Sequence, residues 1–92
     1  MIFTVELSKG AKKDLTKVPE YIRLKFQYWV SLVEEISIEN VRKIKGFHDE
    51  PLQGDRFGQR SIRLNKAYRA IYSVMKEKIE LVLVEEVNKH EY

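Results

Sequence analysis

Arg63, Arg69, His90 and Tyr92 are the residues of this 92-residue chain whose types and spacing point first to chemistry. Arg63 lies in the run Arg60-Ser61-Ile62-Arg63-Leu64 and Arg69 in Tyr68-Arg69-Ala70-Ile71-Tyr72, both with the period of two that predicts strands. Side chains alternate across a strand. With Ile62 and Leu64 turned toward a core, Arg63 points the other way, and Arg69 does so opposite Ala70 and Tyr72. Two like charges on one face of neighbouring strands repel unless an anion sits between them. On a last strand, Asn88, His90 and Tyr92 share one side, so the four residues can converge on a single anionic group. Arginine suits a phosphate there, because its planar fork binds two oxygens at once.

The charge distribution supports an anionic partner such as nucleic acid. Seventeen basic and fourteen acidic residues leave a net +3, but the excess is local. Between Arg42 and Arg69 stand eight basic residues (Arg42, Lys43, Lys45, Arg56, Arg60, Arg63, Lys66, Arg69) against three acidic ones; the remainder holds nine against eleven. Cysteine is absent, which excludes a thiol nucleophile, a cysteine-based zinc site and a disulfide framework, and suits a reducing cytoplasm. Nothing indicates a metal or organic cofactor. No stretch approaches the ~20 apolar residues of a membrane span, and the N-terminus lacks the order of a signal peptide, so a soluble cytoplasmic protein with no membrane partner is expected. The length predicts one domain, residues 1–92.

The elements that must position these residues can be read in order. Ile2-Phe3-Thr4-Val5-Glu6-Leu7 predicts a short strand. Ser8 supplies an N-cap oxygen for a helix whose inner face is Ala11, Leu15 and Val18, with Lys12, Lys13 and Asp14 outward. Pro19 fits the first position of a second helix. There Ile22, Phe26, Trp29, Val33 and Ile36 recur at four, three, four and three, with Tyr21, Leu24, Tyr28 and Leu32 widening the stripe. Residues 37–45 predict a further turn or two, with Val41 and Ile44 inward and Gly46 as the stop. Residues 46–54 read as a loop, Gly58 as a turn or bulge, and residues 75–78 as a tight hairpin between the strand Tyr68 to Met75 and a last strand from Ile79 to Val87. The fold class is therefore α+β, order β-α-α-β-β-β: an antiparallel sheet, mixed by its N-terminal strand, packed on one face against a helical hairpin.

Across nearly its whole length the sequence resembles the RelE/ParE superfamily of toxins from type II toxin–antitoxin systems, most closely the HigB- and YoeB-like mRNA interferases. The resemblance is carried by the element order, by Glu50-Pro51-Leu52, by the strand containing Arg63, by the segment Tyr68-Arg69-Ala70-Ile71-Tyr72, and by a C-terminus with His90 and Tyr92. It implies a microbial-ribonuclease-like sheet and a metal-independent endoribonuclease that cuts mRNA on the ribosome. In that comparison Glu50 resembles the general base, Arg63 the arginine that contacts phosphate, Arg69 the arginine that stabilises the transition state, His90 the general acid and Tyr92 the residue that orients substrate. Glu91 separates His90 from Tyr92, where some members have histidine and tyrosine adjacent, which leaves open which of the two takes the acid position. The resemblance also implies a cognate antitoxin and operator DNA bound only through the complex with it.

The residues also fit this chemistry when read without the family. Cleavage through the RNA 2′-hydroxyl needs a base for its proton, an acid for the departing 5′-oxygen and cations for the phosphorane. Glu50 and His90 can serve as base and acid, with His48 as an alternative acid, and DNA would not be cut by this route. Lys43, Lys45, Arg56, Arg60 and Lys66 are expected to contact RNA. A bland alternative has Glu50 as a surface carboxylate pairing with Arg56 or Arg60. The competing function is that of ParE-like toxins, which share the fold but poison DNA gyrase without cutting RNA.

Overall fold

The computed structural model describes residues 1–75 and 81–89. The elements are β1 (Thr4–Leu7), α1 (Lys9–Leu15), α2 (Glu20–Ile36), α3 (Ile38–Val41), β2 (Glu50–Pro51), β3 (Arg60–Arg63), β4 (Tyr68–Met75) and β5 (Leu81–Lys89). They form one sheet in the order β1-β5-β4-β3-β2. β2 to β5 are antiparallel to their neighbours, and β1 pairs parallel to β5. The expected α+β class, with a mixed sheet and helices to one side, is what forms.

Local chemistry accounts for the helices. The Ser8 hydroxyl accepts a hydrogen bond from Ala11 N at 3.0 Å and starts α1. Pro19 stands at the N-cap of α2 rather than in its first turn: its ψ of 152° is extended, and its carbonyl accepts from Ile22 N and Arg23 N. α2 buries Ile22, Phe26, Trp29 and Val33, the stripe expected at four, three and four. The stripe is narrower than the sequence suggested, since Tyr21, Leu24, Tyr28 and Ile36 are exposed. α1 and α3 share the same core with α2, through Ala11, Ile38 and Val41, so only one ridge of α2 is enclosed. Ser37 breaks the chain between α2 and α3 with φ 82° and ψ 155°, a conformation normally left to glycine, while its hydroxyl accepts from Asn40 N.

The core lies between α2, α3 and one face of the sheet. Ile62 and Leu64 from the β3 segment, Ala70 and Tyr72 from β4, and Val84 and Val87 from β5 are buried there with Trp29 and Phe26. Trp29 packs on Tyr72 with ring centroids 5.4 Å apart. Val84 and Val87 are three residues apart yet face the same core, because a register shift lies between Ile71 and Tyr72: Ile71 pairs with Glu86 and Tyr72 with Val84. The one extra residue of this bulge restores the alternation. Val87 N donates to the Asp14 carboxylate at 3.2 Å, which ties α1 to the sheet beside the bulge.

The segment expected as a loop, residues 46–54, holds more order than its glycines suggested. It contains a 3-10 turn at Lys45–Phe47, the strand β2 and the start of a second 3-10 turn at Gly54–Arg56. Phe47 is buried. The expected hairpin at residues 75–78 lies mostly outside the described residues. Gly58 turns the β2–β3 connection with φ +100°.

A Cβ at Gly58 or at Gly46 would meet no atom within 4 Å, so backbone conformation alone separates the two sites. Gly58→Ala is expected to lower unfolding stability by at least about 1 kcal/mol, while Gly46→Ala leaves it unchanged or raises it by up to about 1 kcal/mol. Urea melts of the two variants check this.

Candidate active site

The free face of the sheet is assembled by register. Glu50 is the partner of Ser61, Ser61 of Ile71, and Arg63 of Arg69, so these side chains share the face opposite to Ile62, Ala70 and Tyr72. Arg63 and Arg69 are thus directly cross-strand, as their alternation predicted. Arg69 Nη1 donates to Glu50 Oε1 at 2.8 Å and to Ser61 Oγ at 3.0 Å. Its side chain is 16% exposed, against 44% for Glu50. The arrangement is a largely buried cation meeting a carboxylate that opens to solvent. Arg63, half-buried beside it, has no hydrogen-bond partner among the described residues. The hydrogen bond from Arg69 holds the Glu50 carboxyl below its ordinary value; partial burial opposes this, and the charges of Arg69, His48 and Arg63 add to it.

His48 borders the same carboxylate, with Nε2 3.9 Å from Glu50 Oε2. It is exposed and left-handed, with φ 49° and ψ 48°. Phe47 before it is buried, with its ring 6.2 Å from that of Tyr28 and under the Lys25 ammonium at 5.1 Å. The Asp49 side chain after it is 1% exposed. Residues 47 to 50 therefore alternate inward, outward, inward, outward. Asp49 Oδ1 accepts from Arg60 Nε at 2.6 Å, Asp49 Oδ2 from the Tyr72 hydroxyl at 2.5 Å, and that hydroxyl in turn accepts from Arg42 Nε at 3.2 Å. Burial, with the Asp49 charge beside it, pushes the Tyr72 phenol well above its ordinary range. An open cleft of about 380 Å³ runs between Arg42, Lys43, Ile44 and Lys45 on one side and His48, Asp49 and Glu50 on the other.

Among the residues expected from sequence, Glu50, Arg63 and Arg69 are brought together, with His48 at their edge. Lys43 and Lys45 are exposed and line the cleft. Lys66 is exposed in the turn between β3 and β4. Arg56 and Arg60, expected to contact RNA, are both engaged within the protein: Arg56 with Glu86 at 2.9 Å and Arg60 with Asp49. Neither is the partner of Glu50, which takes Arg69 instead. His90 and Tyr92 lie outside the described residues. Sequence reasoning overlooked Ser61, Asp49 and Arg42, and took Tyr72 for a plain core residue. The alternation from Phe47 to Glu50 was the available signal, hidden because the second inward residue is an aspartate. Among the described residues, no group of three or more histidine and acidic side chains could hold a metal ion, and no helix is long and apolar enough to cross a membrane.

Solved structures of the same fold include toxins of toxin–antitoxin complexes. The fold is shared with an archaeal RelE in its RelE–RelB complex from Pyrococcus horikoshii, at 25% identity and TM-score 0.71 over 97% of this chain and 96% of that one. It is shared equally with YafQ in the E. coli DinJ–YafQ toxin–antitoxin complex, at 21% identity and TM-score 0.75 over 98% and 94% of the two chains. A YoeB dimer from Staphylococcus aureus matches at 15% identity and TM-score 0.67 over the full length of both. No family model and no curated protein sequence matches the chain. The chain thus has the RelE/ParE-superfamily toxin fold that its sequence resemblance implied.

The Arg69–Glu50 contact makes a signed prediction. A carboxyl whose folded value lies below the ordinary 4.5 contributes stability at pH above about 4.5, which is lost as pH falls through the folded value. In Arg69→Met the Glu50 carboxyl is expected to titrate higher than in the parent protein. The stability gap between the two is expected to be widest above about pH 4.5 and to close below it. Carboxyl-carbon NMR titration and denaturation at several pH values measure both.

Proposed function

We propose that this chain is the toxin of a toxin–antitoxin pair and that it is a metal-independent endoribonuclease acting on ribosome-bound mRNA in the cytoplasm. The observation that carries the reading is the meeting of Glu50 and Arg69 at 2.8 Å, with Arg63 directly across the strand pair from Arg69. A phosphodiester drawn to Arg63 and Arg69 competes with Glu50 for the Arg69 fork. As the phosphate takes those N–H donors, Glu50 loses the contact that depresses its basicity and becomes able to accept the 2′-hydroxyl proton. Charge then growing on the phosphorane meets two guanidinium groups already in place.

The departing 5′-oxygen needs a proton. His90 holds that role in this reading, as the family resemblance implies. His48 is the alternative acid, supported by its position at the rim of the Glu50 carboxylate. Tyr92 orients the substrate, and Lys43, Lys45 and Lys66 supply exposed charge for the RNA backbone. Arg56 and Arg60, engaged by Glu86 and Asp49, act less directly. The partner that restrains the chain is a cognate antitoxin, since the RelE and YafQ structures of this fold are complexes with RelB and DinJ.

Primer extension on mRNA, free and in programmed ribosomes, tests the reading. The parent chain is expected to cut on the ribosome, and Glu50→Gln or Arg69→Ala to slow the cut by about 10²–10⁴-fold. An mRNA with a single 2′-deoxynucleotide at the cut site is expected to resist. Absence of cutting in both settings, with DNA gyrase inhibited instead, would favour the ParE-like alternative.

A further inference from the structure

We propose that Asp49 is a positioning residue for the cleft: by anchoring its own side chain on the helix side of the sheet, it holds His48 and Glu50 outward, toward the anion site. This rests on the nuclease reading only for its effect on rate.

The argument begins with how weakly β2 specifies itself. It is two residues long at the edge of the sheet, and because Leu52 N bonds Gln59 O, position 51 is a non-hydrogen-bonded pair whose proline faces the open edge. A strand this short has little hydrogen bonding to fix its register, and a slip of one residue would exchange the faces of Asp49 and Glu50. The two neighbours are both acidic, so hydropathy does not choose between them. What separates them is the set of partners on each face. Both oxygens of Asp49 are bonded below the sheet, one to Arg60 and one to Tyr72, and Arg42 closes the far side of the Tyr72 hydroxyl. The two donors to Asp49 come from β3 and β4, and the arginine that backs the phenol comes from the end of α3.

This contact is costly to misplace. A carboxylate with a side chain 1% exposed requires partners for its charge; here Arg60 and the Tyr72 phenol bond it, and Arg42 bonds that phenol from behind. On either side of it, Phe47 and Asp49 point inward and fix the backbone of His48 in its left-handed conformation. The same network holds Arg42 at the opposite wall of the cleft, next to Lys43 and Lys45. Asp49 is thus linked to both walls of the cleft without being required to touch the substrate.

The test combines two readouts on Asp49→Asn and Tyr72→Phe, each checked for folding by near-UV circular dichroism. The first is the carboxyl-carbon titration of Glu50, assigned by its loss in Glu50→Gln; it requires no cleavage. Both variants are expected to move that titration up toward 4.5, because Glu50 no longer rests on Arg69. The second is the single-turnover rate on programmed ribosomes. Asp49→Asn is expected to slow it by up to about 100-fold with half-saturation unchanged, and to add no further loss on a Glu50→Gln background. A folded Asp49→Asn protein that keeps the parent titration of Glu50 overturns the proposal, as do rate losses that multiply in the double variant. If Asp49→Asn does not fold, Tyr72→Phe decides by the same titration. If the parent chain cuts no RNA, the nuclease reading fails while the titration still decides the role of Asp49.

Discussion

Arg69 and Glu50 meet at 2.8 Å across the one intervening strand, β3, and the arrangement of the free face follows from that contact. Antiparallel pairing sets Arg69 directly opposite Arg63, an opposition of like charges that costs stability when nothing lies between them. Glu50 offsets part of it, and Ser61 takes a further donor of the same guanidinium. The carboxylate arrives there because β2 enters the sheet in one register, and that register is specified by groups on the other side. A polar arrangement on the open face thus depends on a second, buried polar arrangement on the closed one.

The contact is also a compromise between folding and reactivity. Arg69 stabilises the ionised form of Glu50 and weakens it as a base. In the proposed function a substrate phosphate is the rival for the same donors. On that proposal the site is organised before substrate arrives and sheds its internal partner as substrate binds, which limits the side-chain ordering required at the moment of binding. Arg63 is placed differently. With no hydrogen-bond partner among the described residues, it offers charge without first having to release an internal group.

The sequence was most informative where one physical preference acted alone. The spacing of Ile22, Phe26, Trp29 and Val33 gave α2 and its buried edge, and Ser8 gave the start of α1. Simple alternation around Ile62 and Ala70 sufficed to put Arg63 and Arg69 on one face. It was less informative where partners distant in sequence decide. Glu50 has five arginines within twenty residues, and only the register of the strands selects Arg69 over Arg56 and Arg60. Asp49 reads as a surface carboxylate until Tyr72, Arg42 and Arg60 are brought around it. Tyr21, Leu24 and Tyr28 read as core because a helical wheel does not show how wide a face the sheet can cover.

The parallel pairing of β1 with β5 joins Thr4 to Leu81 and Leu7 to Val84. The first strand has no neighbour in the sheet until the last has been made, and no shorter intermediate contains its ladder. Contacts of such long sequence separation slow folding, because the loop must close before its pairing contributes. On a translating ribosome the helices α1 and α2 are complete long before the strands that cover them. Residues 81–84 must leave the exit tunnel before β1 can pair. A nascent copy therefore lacks its finished sheet throughout the synthesis of its first eighty residues, however early its helices form.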